Sequence, residues 1–78
     1  MIHIYKTVIY FENEDNEMHR LNGPAFIGKF RQSWWKNGKK HRLDGPALIY
    51  NISLYYYIEG DGYTESAYHE KLKEMGLR

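Results

Sequence analysis

One heptapeptide occurs twice in this chain. Residues 19–25 read His-Arg-Leu-Asn-Gly-Pro-Ala and residues 41–47 read His-Arg-Leu-Asp-Gly-Pro-Ala, a period of 22 residues with one Asn-to-Asp change. A match of this length at a fixed period marks stacked supersecondary units. The same period aligns Phe26-Ile27 with Leu48-Ile49, Trp34-Trp35 with Tyr56-Tyr57, and Gly38 with Gly60. The chain must therefore fold as a short array of similar pieces.

Each piece reads as a β-hairpin. Asn22-Gly23 and Asp44-Gly45 are turn dipeptides in which Gly can take positive φ. Pro24 and Pro46 then fix φ and remove a donor, which suits the first residue of a strand. The expected strands are 24–30 and 46–50, followed after the links 31–32 and 51–53 by aromatic strands 33–36 and 54–59. Asn37-Gly38 is the strongest hairpin dipeptide in the chain. Residues 2–11 are β-branched and aromatic and should supply the first strand or strands, ahead of an exposed acidic loop at 12–17.

The period changes at the C-terminal end. Tyr68, Leu72 and Met75 recur at helical spacing, with Thr64 as N-cap, Glu65 in the first turn and Gly76 as the C′ stop. The pattern predicts a helix at about 65–75 that covers the open end of the array, as terminal units of repeat arrays require. The expected class is mostly β (α+β): an antiparallel hairpin-repeat sheet capped by one helix. It forms a single domain, 1–78, divided into an N-terminal strand region and acidic loop (1–17), two hairpin repeats (18–62) and a capping helix (63–78).

The heptapeptide followed by an apolar strand, a Trp-Trp or Tyr-Tyr pair and Asn-Gly resembles the MORN-like hairpin repeats of small tailed-bacteriophage proteins and of larger giant-virus repeat proteins. The resemblance covers roughly residues 18–60. The second copy fits better, since Asn22 stands where Asp is usual. Beyond it, residues 59–64 depart from the pattern and lead to the helix, as a C-terminal cap would. The resemblance implies a scaffold for protein contact without catalytic residues. By the same resemblance the partner is a host protein, modulated in the cytoplasm of an infected bacterium during host takeover or anti-defence.

Composition narrows the chemistry. With 78 residues and no cysteine, the chain has a small core and no disulfide or thiolate. Apolar runs fall far short of a membrane span, and the first residues lack the basic and apolar regions of a signal peptide, so a soluble, unprocessed cytoplasmic chain is expected. No phosphate loop, nucleophile elbow or zinc motif is present, so neither catalysis nor a cofactor or metal is expected. His19-Arg20 and His41-Arg42 recur at one repeat phase. With Gly23, Pro24, Asp44, Gly45 and Pro46 they read as scaffold, each Arg bonding carbonyls or the Asp of a neighbouring unit.

Eight Tyr, three Phe and two Trp are many rings for so small a core. Neighbours in a strand point to opposite faces, so Trp34 and Trp35 cannot both be buried in a one-sided sheet, nor can Tyr55, Tyr56 and Tyr57. One ring of each group should stand outside, and Tyr and Trp are favoured interface residues. The expected partner-binding residues are Trp34, Trp35, Lys36, Lys39, Lys40, Tyr55, Tyr56 and Tyr57. Two other readings compete. Nucleic acid or a nucleotide could stack on Trp34-Trp35 beside the cations of 36–42, and open sheet edges could pair between copies.

Overall fold

The computed structural model describes residues 1–78. Nine strands and one helix follow in order: β1 (Ile2–Tyr5), β2 (Val8–Phe11), β3 (Phe26–Ile27), β4 (Arg31–Ser33), β5 (Trp35–Lys36), β6 (Lys39–Lys40), β7 (Leu48–Tyr50), β8 (Ser53–Ile58), β9 (Asp61–Tyr63) and α1 (Glu65–Glu74). Seven strands form one antiparallel sheet in the order β1-β2-β3-β4-β7-β8-β9, and β5-β6 pair as a separate hairpin tip. The fold class matches the expectation: a mostly β chain in an antiparallel sheet with a single C-terminal helix.

The strands are shorter than expected at their starts. Pro24 and Pro46 precede β3 and β7 instead of opening them. Positions 31–32 and 53, expected as links, lie in β4 and β8, while β6 and β9 were not anticipated. The turns are tighter than their composition suggests, because Asn37, Asn51 and Glu59 take the left-handed conformation, at φ 48°, 59° and 49°. Lys6 does the same at φ 53° and separates β1 from β2.

The backbone repeats more faithfully than the residues do. The His19 and His41 amides donate to the Phe11 and Trp34 carbonyls, and the Gly38 and Gly60 amides to the Met18 and Lys40 carbonyls. The N-terminal segment is thus a further, degenerate unit. Its acidic stretch is a hairpin tip, closed by the Glu12–Met18 bridge and by Asn13 Oδ1, which accepts from the Asp15 and Glu17 amides. At the 22-residue period 12–17 falls on 34–39, where only the turn dipeptide Asp15-Asn16 resembles Asn37-Gly38, so the residues alone hardly show this unit.

Each heptapeptide is a staple laid over one face of the sheet. The Arg20 guanidinium stacks 4.1 Å from the Phe11 ring centroid and donates to the Pro24 carbonyl; Arg42 stacks 3.9 Å from Trp34 and donates to the Pro46 carbonyl. Arg42 Nε also donates to Asp44, in its own unit, not in a neighbouring one as expected: the tight Asp44-Gly45 turn brings that carboxylate back to 3.0 Å. Ala25 and Ala47, which end the two heptapeptides, are fully buried.

Gly23 and Gly45 sit at φ 150° and 156°, and a Cβ at these positions would meet the guanidinium carbon of Arg20 at 3.3 Å or Arg42 at 3.0 Å. Gly45→Val should therefore cost more than ~1 kcal/mol, combining backbone strain with displacement of the staple. Gly23→Val should cost less, its clearance being wider. Urea denaturation of both variants checks the ranking, and equal stability of either with the parent would refute it.

The third staple is replaced by the helix. Tyr68 lies 4.8 Å from the Tyr56 ring, the position that corresponds to Trp34, and its hydroxyl donates to the Arg42 carbonyl at 2.5 Å while accepting from the Gly45 amide. Tyr56, Ile58, Tyr68 and Leu72 form the main buried cluster, with Leu43 and Tyr63 packed against it. Thr64 caps the helix by accepting from the Ala67 amide. At the other end Gly76, at φ 77°, and Leu77 donate back to the Lys73 and Leu72 carbonyls in a Schellman closure. Met75, expected on the packed face, is the C-cap and 42% exposed, since the helical register ends at Glu74.

Candidate protein-binding face

Residues opposite one another in a ladder share a face of the sheet, as do alternate residues along a strand. The pairing therefore sorts the side chains of the strands. One face carries the staples and α1, over Phe11, Trp34, Tyr56 and Ile58. We call it the looped face. Its remaining row is aliphatic but for one amide: Ile4, Ile9, Ile27, Gln32, Ile49 and Leu54.

The other face has no covering element, and we call it the open face. Its central row is His3, Tyr10, Phe26, Ser33, Leu48 and Tyr55. The flanking row holds Tyr5, Val8, Arg31, Tyr50 and Ser53. Towards the hairpin tips it continues with Trp35, Lys40 and Tyr57. The whole molecule measures 39 × 29 × 17 Å, a sheet with a single partial layer upon it, and only eight of 78 residues are buried.

Several groups organise this face. Trp35 Nε1 donates to Ser33 Oγ at 2.8 Å, which lays the indole along the sheet and leaves Ser33 buried. Lys40 Nζ lies 5.4 Å from the Trp35 ring and 4.9 Å from the Tyr57 ring. Arg31 stands 5.7 Å from the Tyr50 ring. His3 and Tyr10 stack at 4.5 Å, and His3 Nε2 lies 2.5 Å from Glu12. Tyr50 and Tyr55 are 53% and 46% exposed, with no partner element above them.

The eight expected binding residues are divided between locations. Trp35, Lys40, Tyr55 and Tyr57 come together on the open face. Trp34 turns to the looped face beneath Arg42, and Tyr56 is buried under α1. Lys36 is drawn 3.4 Å from Glu59, and Lys39 lays its stem against Gly60. Alternation through the continuous stretch 31–36 causes the split. The same alternation, run back from Trp35, reaches Arg31, and the ladder adds Tyr10, Phe26 and Tyr50. These open-face residues were missed because they lie outside the basic and aromatic runs.

Between the two staples on the looped face lies a cleft of about 610 Å³, lined by Arg20, Trp34, His41 and Arg42 among others. Two of its cations carry a compensating carboxylate, Arg42 in Asp44 and Lys36 in Glu59, while Arg20 rests on Phe11 and the Pro24 carbonyl. No group of three or more His, Asp or Glu is placed to hold a metal ion, and no helix is long and apolar enough to cross a membrane.

The repeated histidines tie one unit to the next. His19 Nδ1 accepts from the Asn37 amide and His41 Nδ1 from the Glu59 amide, both at 3.0 Å, so each ring supports the left-handed residue of the following tip. An accepting Nδ1 must be unprotonated. The His41 pKa is lowered, first by burial and further by Lys36, against an opposing pull from Glu59. The unfolded chain then binds more protons than the folded one between the ordinary value of 6.5 and the lowered one. The stability contributed by this histidine is complete above pH 6.5 and is lost as pH falls through the lowered value. His41→Asn, whose Oδ1 can accept the same amide without titrating, should flatten this part of the stability–pH curve. Urea midpoints at a series of pH values test it, and an unchanged slope would count against this role.

Comparison of the chain with protein-family models, with curated proteins and with solved structures gives no match, so the family resemblance rests on the heptapeptides themselves.

Proposed function

We propose that this protein is a non-catalytic protein-binding module of the MORN-like hairpin type, acting as a phage-type inhibitor or modulator of a host protein. The observation that carries the reading is the open face. The seven-stranded sheet carries no element on one side and lines it with Tyr5, Tyr10, Tyr50, Tyr55 and Tyr57, and the β5–β6 tip adds Trp35. Tyr and Trp give large contact area for few rotatable bonds, which is why binding surfaces concentrate them. The staples and α1 meanwhile stiffen the sheet from behind, so the rings are held before a partner arrives and less ordering is needed on binding.

The test is a capture experiment from bacterial lysate, using tagged parent beside a Trp35→Ala/Tyr55→Ala variant with native circular dichroism. A host protein retained by the parent and lost by the variant is the expected result. Capture that survives the double change would move the interface to the aliphatic row of Ile4, Ile9, Ile27, Ile49 and Leu54. Co-purified nucleic acid released by moderate salt would instead favour the nucleic-acid reading.

A further inference from the structure

Charge is distributed unequally between the two faces. The looped side mixes signs: Asp44 lies with Arg42, Glu59 with Lys36, and α1 adds Glu65, Glu70 and Glu74. The open face carries Arg31 and Lys40, and its one carboxylate, Glu12, lies beside His3. Neither Arg31 nor Lys40 has an acidic partner anywhere in the chain. Each is instead held against rings, Arg31 by Tyr50 and Lys40 by Trp35 and Tyr57. A cation steadied by an aromatic surface keeps outward donors free for a carboxylate, at reduced entropic cost.

The two cation–ring sites stand in a fixed relation. Arg31 and Trp35 are four residues apart along one continuous stretch, as are Ser53, opposite Tyr50, and Tyr57. At a strand rise of about 3.3 Å the sites are roughly 13 Å apart. Between them lies the exposed ring of Tyr55, beside buried Leu48. We propose that the open face docks an acidic segment of a protein partner, with two carboxylates about 13 Å apart pairing with Arg31 and Lys40 and an apolar side chain between them against the Tyr55 ring. An extended segment meets this spacing with acidic residues at i and i+4 and an apolar residue at i+2, all on one side.

This inference rests on the protein-binding reading, and the test separates the two. The probe is a labelled Glu-Thr-Phe-Thr-Glu peptide, with a Gln-Thr-Phe-Thr-Gln control and a short oligothymidylate, measured by anisotropy and by amide chemical shifts of the labelled protein. The Glu peptide should shift Arg31, Lys40, Leu48 and Tyr55. It should bind about tenfold more tightly than the Gln peptide at low salt, as two exposed charge-assisted contacts allow. Arg31→Gln and Lys40→Gln should each remove part of that difference. Because the peptide substitution leaves the protein untouched, the comparison stands even where a protein variant folds poorly. Equal affinity for both peptides with shifts on the open face would overturn the acidic partner while leaving the binding face in place. Tighter binding of oligothymidylate at the same residues would overturn it in favour of a polyanion. No shift on the open face with any probe would overturn the inference and remove support for the binding face as well.

Discussion

Tyr68→Ala is expected to remove most of the folding free energy of this chain. The residue is fully buried, and truncating a buried aromatic ring costs about 3–5 kcal/mol through lost burial and the cavity left behind. A domain of this size without disulfides holds only roughly 3–5 kcal/mol in total. The position is also where the repeat stops repeating. Its ring occupies, over Tyr56, the place that Arg20 and Arg42 occupy over Phe11 and Trp34, and its hydroxyl engages the Arg42 carbonyl and Gly45 amide of the last staple. Tyr68→Phe keeps the ring and strands those two backbone groups, so it should cost about 1–3 kcal/mol. Truncation after Gly62 removes cap and ring together and should give an unfolded or aggregated chain. Far-ultraviolet circular dichroism with urea titration ranks the three. A truncated chain that remains folded and monomeric would show that the sheet does not need its helix.

Some of this architecture is written openly in the sequence. The heptapeptides, Asn37-Gly38 and the Thr64-to-Gly76 helix signals are local chemistry, and local chemistry can be read without knowing the partners. Other parts are not local. That Phe11 plays the part of Trp34 depends on which guanidinium lands on it, and nothing near residue 11 announces Arg20. The helix could be foreseen as a cap, but not that Tyr68 would stand in for a missing arginine. Arg31 and Tyr50 form a pair across two strands and are inconspicuous where each stands in the chain. Alternation correctly required Trp34 and Trp35 to part. Which ring faced outward was settled by the staple, since Arg42 covers Trp34 and leaves Trp35 to the open face.

That division sets the second large effect. Tyr55→Ala and Trp35→Ala should each weaken binding to a protein partner by over ~2 kcal/mol, as truncation of a central aromatic anchor does. Tyr55 is the cleaner of the two. It is 46% exposed and makes no side-chain hydrogen bond in the chain, so its loss should leave folding nearly intact. Trp35 carries Nε1–H to buried Ser33 and supports Lys40, so its removal should also lower stability modestly. Trp34→Ala provides the contrast: its ring is under Arg42, so it should reduce stability with little specific effect on binding by the fraction that remains folded. Lys40→Glu should mainly slow association and reverse part of its salt dependence, because a cation at the rim of a binding face acts strongly on encounter. Lys36→Glu should do less, its charge already being shared with Glu59. Association and dissociation rates of the captured partner against this set, each variant first checked for native circular dichroism, give the answer. If Trp34→Ala weakened binding as much as Tyr55→Ala at equal folded fraction, the partner would be reading the looped face, and the aliphatic row there would become the surface to mutate next.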